Sequence, residues 1–218
     1  VGFNIEDIEG ANLSTSFGVN REARRRDIRR SLVDPFYAAL FDYWWPIRED
    51  FGIREFNDVL LHAANLRDDA SYIRDPDVAR DFGILTFMRD GGITTYAPEF
   101  AGAKAPEFND FVVGNVMELA SFDDLRRAPA FVKLQKAVRS GISNCRASCA
   151  YFAICGGSHI PNRYFEYGDF SRPDTFTCEM MLQAAADVCF AKIDAMGRKG
   201  RARAAGAGRR RVAPAPAA

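Results

Sequence analysis

The spacing of hydrophobic positions changes character near residue 82, and the two halves predict different kinds of structure. Residues 1–8 (VGFNIEDI) are rich in β-branched and aromatic side chains and predict a strand, which runs into the turn residues Glu9, Gly10 and Asn12. Asn20 is placed to cap an arginine-rich helix, and Asp34-Pro35 forms an N-cap and N1 pair for a helix reaching Trp44 and Trp45. Phe51 to Phe56 predicts a second short strand, followed by a helical pattern through Leu60 and Leu61. Strand, helix, strand, helix is the rhythm of an α/β layer, so residues 1–81 form one predicted unit that ends in a charged loop, 67–81.

Beyond Phe82 the expectation is α+β. Two β-rich runs flank Asp90-Gly91-Gly92, a strong hairpin signal. A loop with Pro98, Gly102 and Pro106 leads to the apolar run Phe108 to Val116. Ser121 ahead of Asp123 and Asp124 predicts a helix start, and Pro129 opens a further helix that is expected to stop at Gly141. A cysteine-bearing loop follows, then a helix from about Cys178 to Met196. The predicted second unit is 82–197, and the Arg/Ala/Gly/Pro tail 198–218 is expected to be disordered.

Composition narrows the function classes. The chain has 218 residues, 48% of them hydrophobic, which is enough for one sizeable domain or two small ones and excludes global disorder. Its 29 basic and 29 acidic residues cancel, so there is no whole-protein attraction to nucleic acid or to an anionic membrane. No apolar run approaches transmembrane length, and no signal-peptide pattern opens the chain, so the cytoplasm is the expected compartment. There, clustered cysteines point to metal or redox chemistry rather than to a disulfide scaffold. Because residue 1 is valine, inside an apolar stretch, the chain is expected to be the remainder of a longer protein.

Cys145, Cys149 and Cys155 fall close together after the expected helix stop, and Cys178 stands at a predicted helix start, where amide groups and the helix dipole favour a thiolate. Cys189 lies about 16 Å further along that helix, at 1.5 Å per residue, on a face with Leu182, Ala185 and Ile193. It reads as a buried structural thiol. Structural zinc generally uses a pair of short Cys-x2–4-Cys knuckles. Here a Cys-x3-Cys step, a Cys-x5-Cys step and a distant single cysteine suit a [4Fe–4S] cube better, with zinc, disulfides or inert thiols as the alternatives.

The segment from Gly141 through Cys145, Cys149 and Cys155-Gly156-Gly157, then Pro161-Asn162-Arg163, Glu166 and Gly168, then Cys178, resembles the SPASM region of radical S-adenosylmethionine (SAM) peptide maturases. More narrowly it is similar to the cyclophane-forming GrrM/OscB-type enzymes. The resemblance continues upstream through Phe3 to Gly10, Arg54-Glu55-Phe56, Thr94 to Glu99 and Asp110 to Val116. It implies a partial (β/α) barrel, of which residues 1–81 would be the C-terminal strands and helices, followed by a SPASM/twitch-like Fe–S region. The implied activity is radical C–C (cyclophane) crosslinking of a ribosomally synthesised precursor peptide, with a reductant protein as a further partner. Cys145, Cys149, Cys155 and Cys178 would ligate an auxiliary [4Fe–4S] cluster. Glu6, Glu9, Arg54 and Glu55, at predicted strand ends, would contact SAM or substrate, unless they only satisfy loop backbone.

Departures from the family pattern matter equally. No cysteine precedes Cys145, so the Cys-x3-Cys-x2-Cys motif of the SAM-cleaving cluster is missing. SAM and a second [4Fe–4S] cluster are therefore expected only in a full-length protein, and this chain alone is expected to be inactive. Thr94 and Thr95 stand where the broader pattern carries a cysteine, which argues against a second auxiliary cluster. His159 either approaches the cluster or lies outside the ligand set. Arg163, in place of a usual lysine, either neutralises cluster or peptide charge or is a surface residue. The run Arg21 to Arg30 is interrupted by Glu22 and Asp27 and reads as a solvated helix face, as Arg209 to Arg211 reads as solvated tail. Trp44 and Trp45 with Phe41 and Tyr43 read as helix core rather than a peptide platform. The alternative function is a non-catalytic Fe–S or zinc module that recognises a partner peptide.

Overall fold

A computed structural model describes residues 29–209, with the backbone of 6–8 and 11–12 in addition; side chains are described for 29–199 and 201. Strand β1 (Glu6–Ile8) pairs antiparallel with β2 (Ala11–Asn12). The helix expected after Asn20 lies outside the described residues. Helices α1 (Arg30–Trp44) and α2 (Arg54–Asp68) follow. β3 (Leu85–Phe87), β4 (Gly92–Thr95) and β5 (Gly114–Asn115) make an antiparallel sheet in the order β3-β4-β5. The sheet is followed by helices: α3 (Phe122–Arg127), α4 (Pro129–Ser148), the single turn α5 (Phe152–Cys155), α6 (Ile160–Tyr167), and a π-helical stretch Cys178–Gln183 that continues into α7 (Ala184–Arg209).

The hairpin forms where expected. Leu85 faces Thr95, Thr86 faces Thr94 and Phe87 faces Ile93, while Gly91 takes the positive φ of 85° that the turn needs. Ser121 and Asp124 form a reciprocal capping box at the start of α3, and Pro129 occupies the first turn of α4. Trp44 is buried against Phe41 and Phe56, and Trp45 stacks on Phe41, so both belong to the core as expected, whereas Tyr43 is exposed.

Three expectations need correction. The strand expected at 51–56 is a bend followed by the first turn of α2. Ile53, Phe56 and Val59 are all buried in one core, and their three-residue spacing places them on one side of a helix, not on one face of a strand. Among the described residues no two strands pair in parallel, and the unit expected over 1–81 shows α1, α2 and the short β1–β2 ladder. Asp34-Pro35 does not start a helix: α1 begins at Arg30, and the Asp34 carboxylate accepts a hydrogen bond from Arg30 instead of capping. Gly141 does not stop α4, which runs on to Ser148, because the glycine serves a packing contact rather than a cap.

Two cores organise the described residues. The first joins Val33, Tyr37 and Phe41 of α1 and Phe56 and Val59 of α2 to Ile154, Phe176, Met180 and the Ala184-Ala185-Ala186 face of α7. The second joins Ile93, Phe100, Phe111, Leu125, Phe131 and Leu134 to Ile160, Phe165 and Phe170. A boundary at 81/82 therefore separates α1 and α2 from the C-terminal helix they pack against. That helix also continues past Arg198, where the tail was expected, to Arg209, since alanine and arginine are both strong helix formers. Among the described residues no helix is long and apolar enough to cross a membrane.

Candidate metal centre

The segment 145–160 runs along the seam of the two cores, with Ile154 in the first and Ile160 in the second. Cys145 lies in the last turn of α4, Cys149 is its C-cap residue, and Cys155 ends the single turn α5. Gly156 closes that turn at φ 64°, and a Cβ there would stand 2.2 Å from the Arg74 carbonyl oxygen. The Cys155-Gly156-Gly157 run is thus dictated by left-handed backbone and by close chain approach. Cys178 arrives from the far side as the first residue of the π-helical stretch, a form of helix that often marks functional positions. Cys145, Cys155 and Cys178 are buried, Cys149 is half-buried, and all the cysteines are free thiols.

The four sulfurs act on one another. Cys145 donates a hydrogen bond to Cys149, which raises its own pKa and lowers that of Cys149; burial adds to the first effect and opposes the second. The charge of Cys155 bears on Cys145. Burial pushes the Cys178 thiol up to about 12, with the charges of Cys155 and Cys149 adding to it. Cys189 is pushed up to about 12 by burial alone, inside the first core, so it stands apart as the sequence indicates. Two further side chains touch sulfur: Ser158 Oγ lies 3.2 Å from Cys155 Sγ, and Gln183 Nε2 donates to Cys178 Sγ at 3.8 Å.

Arg163 supplies the charge that the thiols lack. It is 2% exposed, its Nη1 donates to the Gly157 carbonyl at 3.4 Å, and its Nε has no hydrogen-bond partner among the described residues. Its positive charge favours the thiolate at Cys145, Cys149 and Cys178. A buried guanidinium short of partners costs several kcal/mol unless an anion answers it. Four thiolates around a metal group carry net negative charge, so the donor set and the buried cation fit one another. Among the described residues, no three His, Cys, Asp or Glu side chains stand as a ligand set for a single ion.

The approach of Cys178 is set by α6. Residues 176 and 177 are already helical, two positions earlier than expected, and Thr175 Oγ1 accepts the Cys178 backbone N–H at 2.9 Å. The Glu166 carboxylate accepts the N–H of Phe176, the N–H of Thr177 at 3.0 Å and the Thr177 hydroxyl at 2.9 Å. Asn162 Nδ2 donates to Thr177 Oγ1 at 3.0 Å. Asn162, Arg163 and Glu166 therefore serve the cysteines from one short helix.

A cavity of about 770 Å³ opens beside this centre, between α2, the loop 72–80 and the start of α6. Arg54 and Glu55 line it, together with Asp58, His62, Tyr72, Arg74, Ser158, His159 and Asn162. The two predicted contact residues thus share a cavity with Ser158, the neighbour of Cys155, but from the start of a helix rather than a strand end. Arg54 donates to Glu55 Oε1 at 2.7 Å. Glu6 lies in β1 with no side chain described, and Glu9 lies outside the described residues. His159 is half-buried and its basicity falls to about 4, through burial and then the charge of Arg163, so it is neutral near pH 7.

Sequence reasoning missed the far wall of the cavity. His62 Nδ1 lies 2.6 Å from the Tyr72 hydroxyl, and Arg74 donates to Asp58 at 3.1 Å. The segment 67–81 reads only as a charged loop, and no local pattern marks Tyr72 or Arg74 as wall residues.

No protein-family model and no solved structure matches the chain. It is similar to the uncharacterized protein sll1766 of Synechocystis sp. (strain ATCC 27184 / PCC 6803 / Kazusa), at 28% identity over 194 residues. The match covers 89% of this chain and 46% of that protein, so the chain spans about half the length of the curated relative it matches.

Proposed function

We propose that Cys145, Cys149, Cys155 and Cys178 hold one [4Fe–4S] cluster, and that the chain is the C-terminal portion of a radical SAM peptide-modifying enzyme. The observation that carries the metal reading is the buried Arg163, whose Nε lacks a partner among the described residues and whose charge acts on three of the four thiols, Cys145, Cys149 and Cys178. The uneven cysteine spacing favours iron–sulfur over zinc. The enzyme reading rests on the SPASM resemblance of the residues around those cysteines.

When bound, such a cluster supplies one-electron chemistry, accepting the electron released when a crosslinked aromatic ring is restored. The chain's own residues hold and insulate it. Arg163 offsets its charge, Ser158 and Gln183 offer hydrogen bonds to two sulfurs, and α4, α5 and α6 keep the buried thiols from solvent. The cavity bounded by Arg54, Glu55 and Ser158 is where a precursor peptide would lie, within reach of the Cys155 side of the site. SAM, the SAM-cleaving cluster and the reductant protein belong to the longer protein in this proposal.

Anaerobic reconstitution of the 218-residue chain with iron and sulfide tests the metal reading. About four irons per chain and a broad absorbance are expected for one cubane. Serine at position 145, 149, 155 or 178 should lower the iron content, and Cys189→Ser should leave it unchanged. Zinc retained without iron, or an iron content that no substitution among the four cysteines lowers, overturns the reading. The enzyme reading fails separately if the full-length coding sequence carries no Cys-x3-Cys-x2-Cys motif ahead of Val1.

A further inference from the structure

The helix that begins at residue 176 has its first backbone donors satisfied from two sources. Thr175 takes the N–H of Cys178 on its side chain and that of Glu179 on its carbonyl, at 2.9 and 3.0 Å. The N–H groups of Phe176 and Thr177 have no intrahelical acceptor, and both go to the carboxylate of Glu166. The same carboxylate takes the Thr177 hydroxyl, whose oxygen accepts from Asn162. A negative group at this end of a helix is also favoured by the helix dipole.

Cys145, Cys149 and Cys155 come from one continuous stretch bounded by α4 and α5, so their mutual placement is local. Cys178 is separated from them by α6 and by the loop 168–175, which carries Pro173 and its own Asp169–Ser171 turn. Phe176 and Met180 pack in the first core with Ile154, and the polar contacts from α6 to this helix start run through Glu166 and Asn162, on the helix that also carries Arg163.

We infer that Glu166 is the positioning residue for the fourth thiolate: its carboxylate docks the helix start that delivers Cys178, and without it the site holds a metal group through three cysteines only. This rests on the cluster reading for its metal arm but not for its thiol arm. Three cysteines alone can hold a [4Fe–4S]²⁺ cube, but they leave one iron without a thiolate. Added ferricyanide takes one electron from such a cube, and the oxidised cube releases that iron as Fe²⁺ to leave [3Fe–4S]⁺, which has an electron-spin signal distinct from that of the cubane.

The test compares wild-type chain with Glu166→Ala and Glu166→Gln. In the metal-free protein, iodoacetamide labelling is followed at each cysteine by mass spectrometry. Cys178 should label at least several-fold faster in Glu166→Ala while Cys189, buried further along the same helix, keeps its wild-type rate. Glu166→Gln keeps one accepting oxygen for the Thr177 donors and should fall between the two. After reconstitution and treatment with ferricyanide, Glu166→Ala should hold about three irons, with the three-iron signal, against about four for wild type. Unchanged labelling of Cys178, or Cys178 and Cys189 accelerating together as in general unfolding, overturns the inference. So do four irons retained by Glu166→Ala after ferricyanide. If wild type takes up no iron, the cluster reading fails, and the labelling rates still decide the role of Glu166.

Discussion

The carbonyl oxygen of Phe170 rests against Gly141 so closely that a Cβ on Gly141 would stand 1.9 Å from it. Phe170 is buried in the second core, and Gly141 is one helical turn ahead of Cys145 in α4. This contact seats the loop after α6 on the helix that carries Cys145 and Cys149. Because the crowding atom is backbone, a shift must move the chain rather than a side chain.

Gly141→Ala should therefore destabilise the fold by about 1–3 kcal/mol through overpacking, despite a gain of up to about 1 kcal/mol in helix propensity. A urea midpoint below that of wild type is the expected result. A raised midpoint would mean that the helix gain outweighs the contact.

Arg163 should have opposite effects on the empty and the loaded protein. Arg163→Met removes a buried guanidinium whose Nε lacks a partner among the described residues, which should leave the metal-free fold as stable or more so. In the reconstituted protein the same change removes a positive charge near the cluster, disfavouring the reduced state. The midpoint potential should fall on the order of tens of millivolts, while Arg163→Lys stays near wild type. Thermal unfolding of the metal-free protein and a redox titration of the loaded one check the two halves.

Asp81 ties the hairpin end to α4. It accepts hydrogen bonds from the Tyr96 hydroxyl and Gln135 Nε2, each at 2.6 Å, and pairs with Arg139. Burial works to raise its pKa, but these donors and the Arg139 charge outweigh it, so the carboxyl titrates below its ordinary value of 3.8. A depressed folded pKa contributes stability that is fully present above 3.8 and is lost as pH falls through the lower folded value. Asp81→Asn should lower stability at neutral pH by about 1–3 kcal/mol and flatten its loss on acidification below pH 4. Denaturant titrations at pH 7 and pH 3 read both effects, and equal acid sensitivity in the two proteins would remove Asp81 from the account.

Much of the local structure was legible in the sequence because its signals are local. Asp90-Gly91-Gly92, the Ser121 cap and Pro129 act through turn and helix-end chemistry that a few residues specify. Local signals misled where a residue serves a distant partner. Asp34 looked like a cap but is taken by Arg30, which also reaches Asp187 on α7. Gly141 looked like a helix stop but makes room for Phe170. Ile53 and Phe56 looked like strand residues until the first core placed them on one side of a helix.

For the candidate centre the division is similar. The sequence by itself determined the donor chemistry: four cysteines at uneven spacing and a fifth set apart on a helix. Only the tertiary structure decided that Arg163 is buried among the thiols rather than on the surface. It also showed that Glu166 and Asn162 anchor the helix start of Cys178, and that Arg54 and Glu55 open onto a cavity beside Ser158. The physical reason is that thiolate chemistry belongs to individual side chains, whereas burial, charge compensation and cavity shape exist only once segments far apart in the chain are packed together.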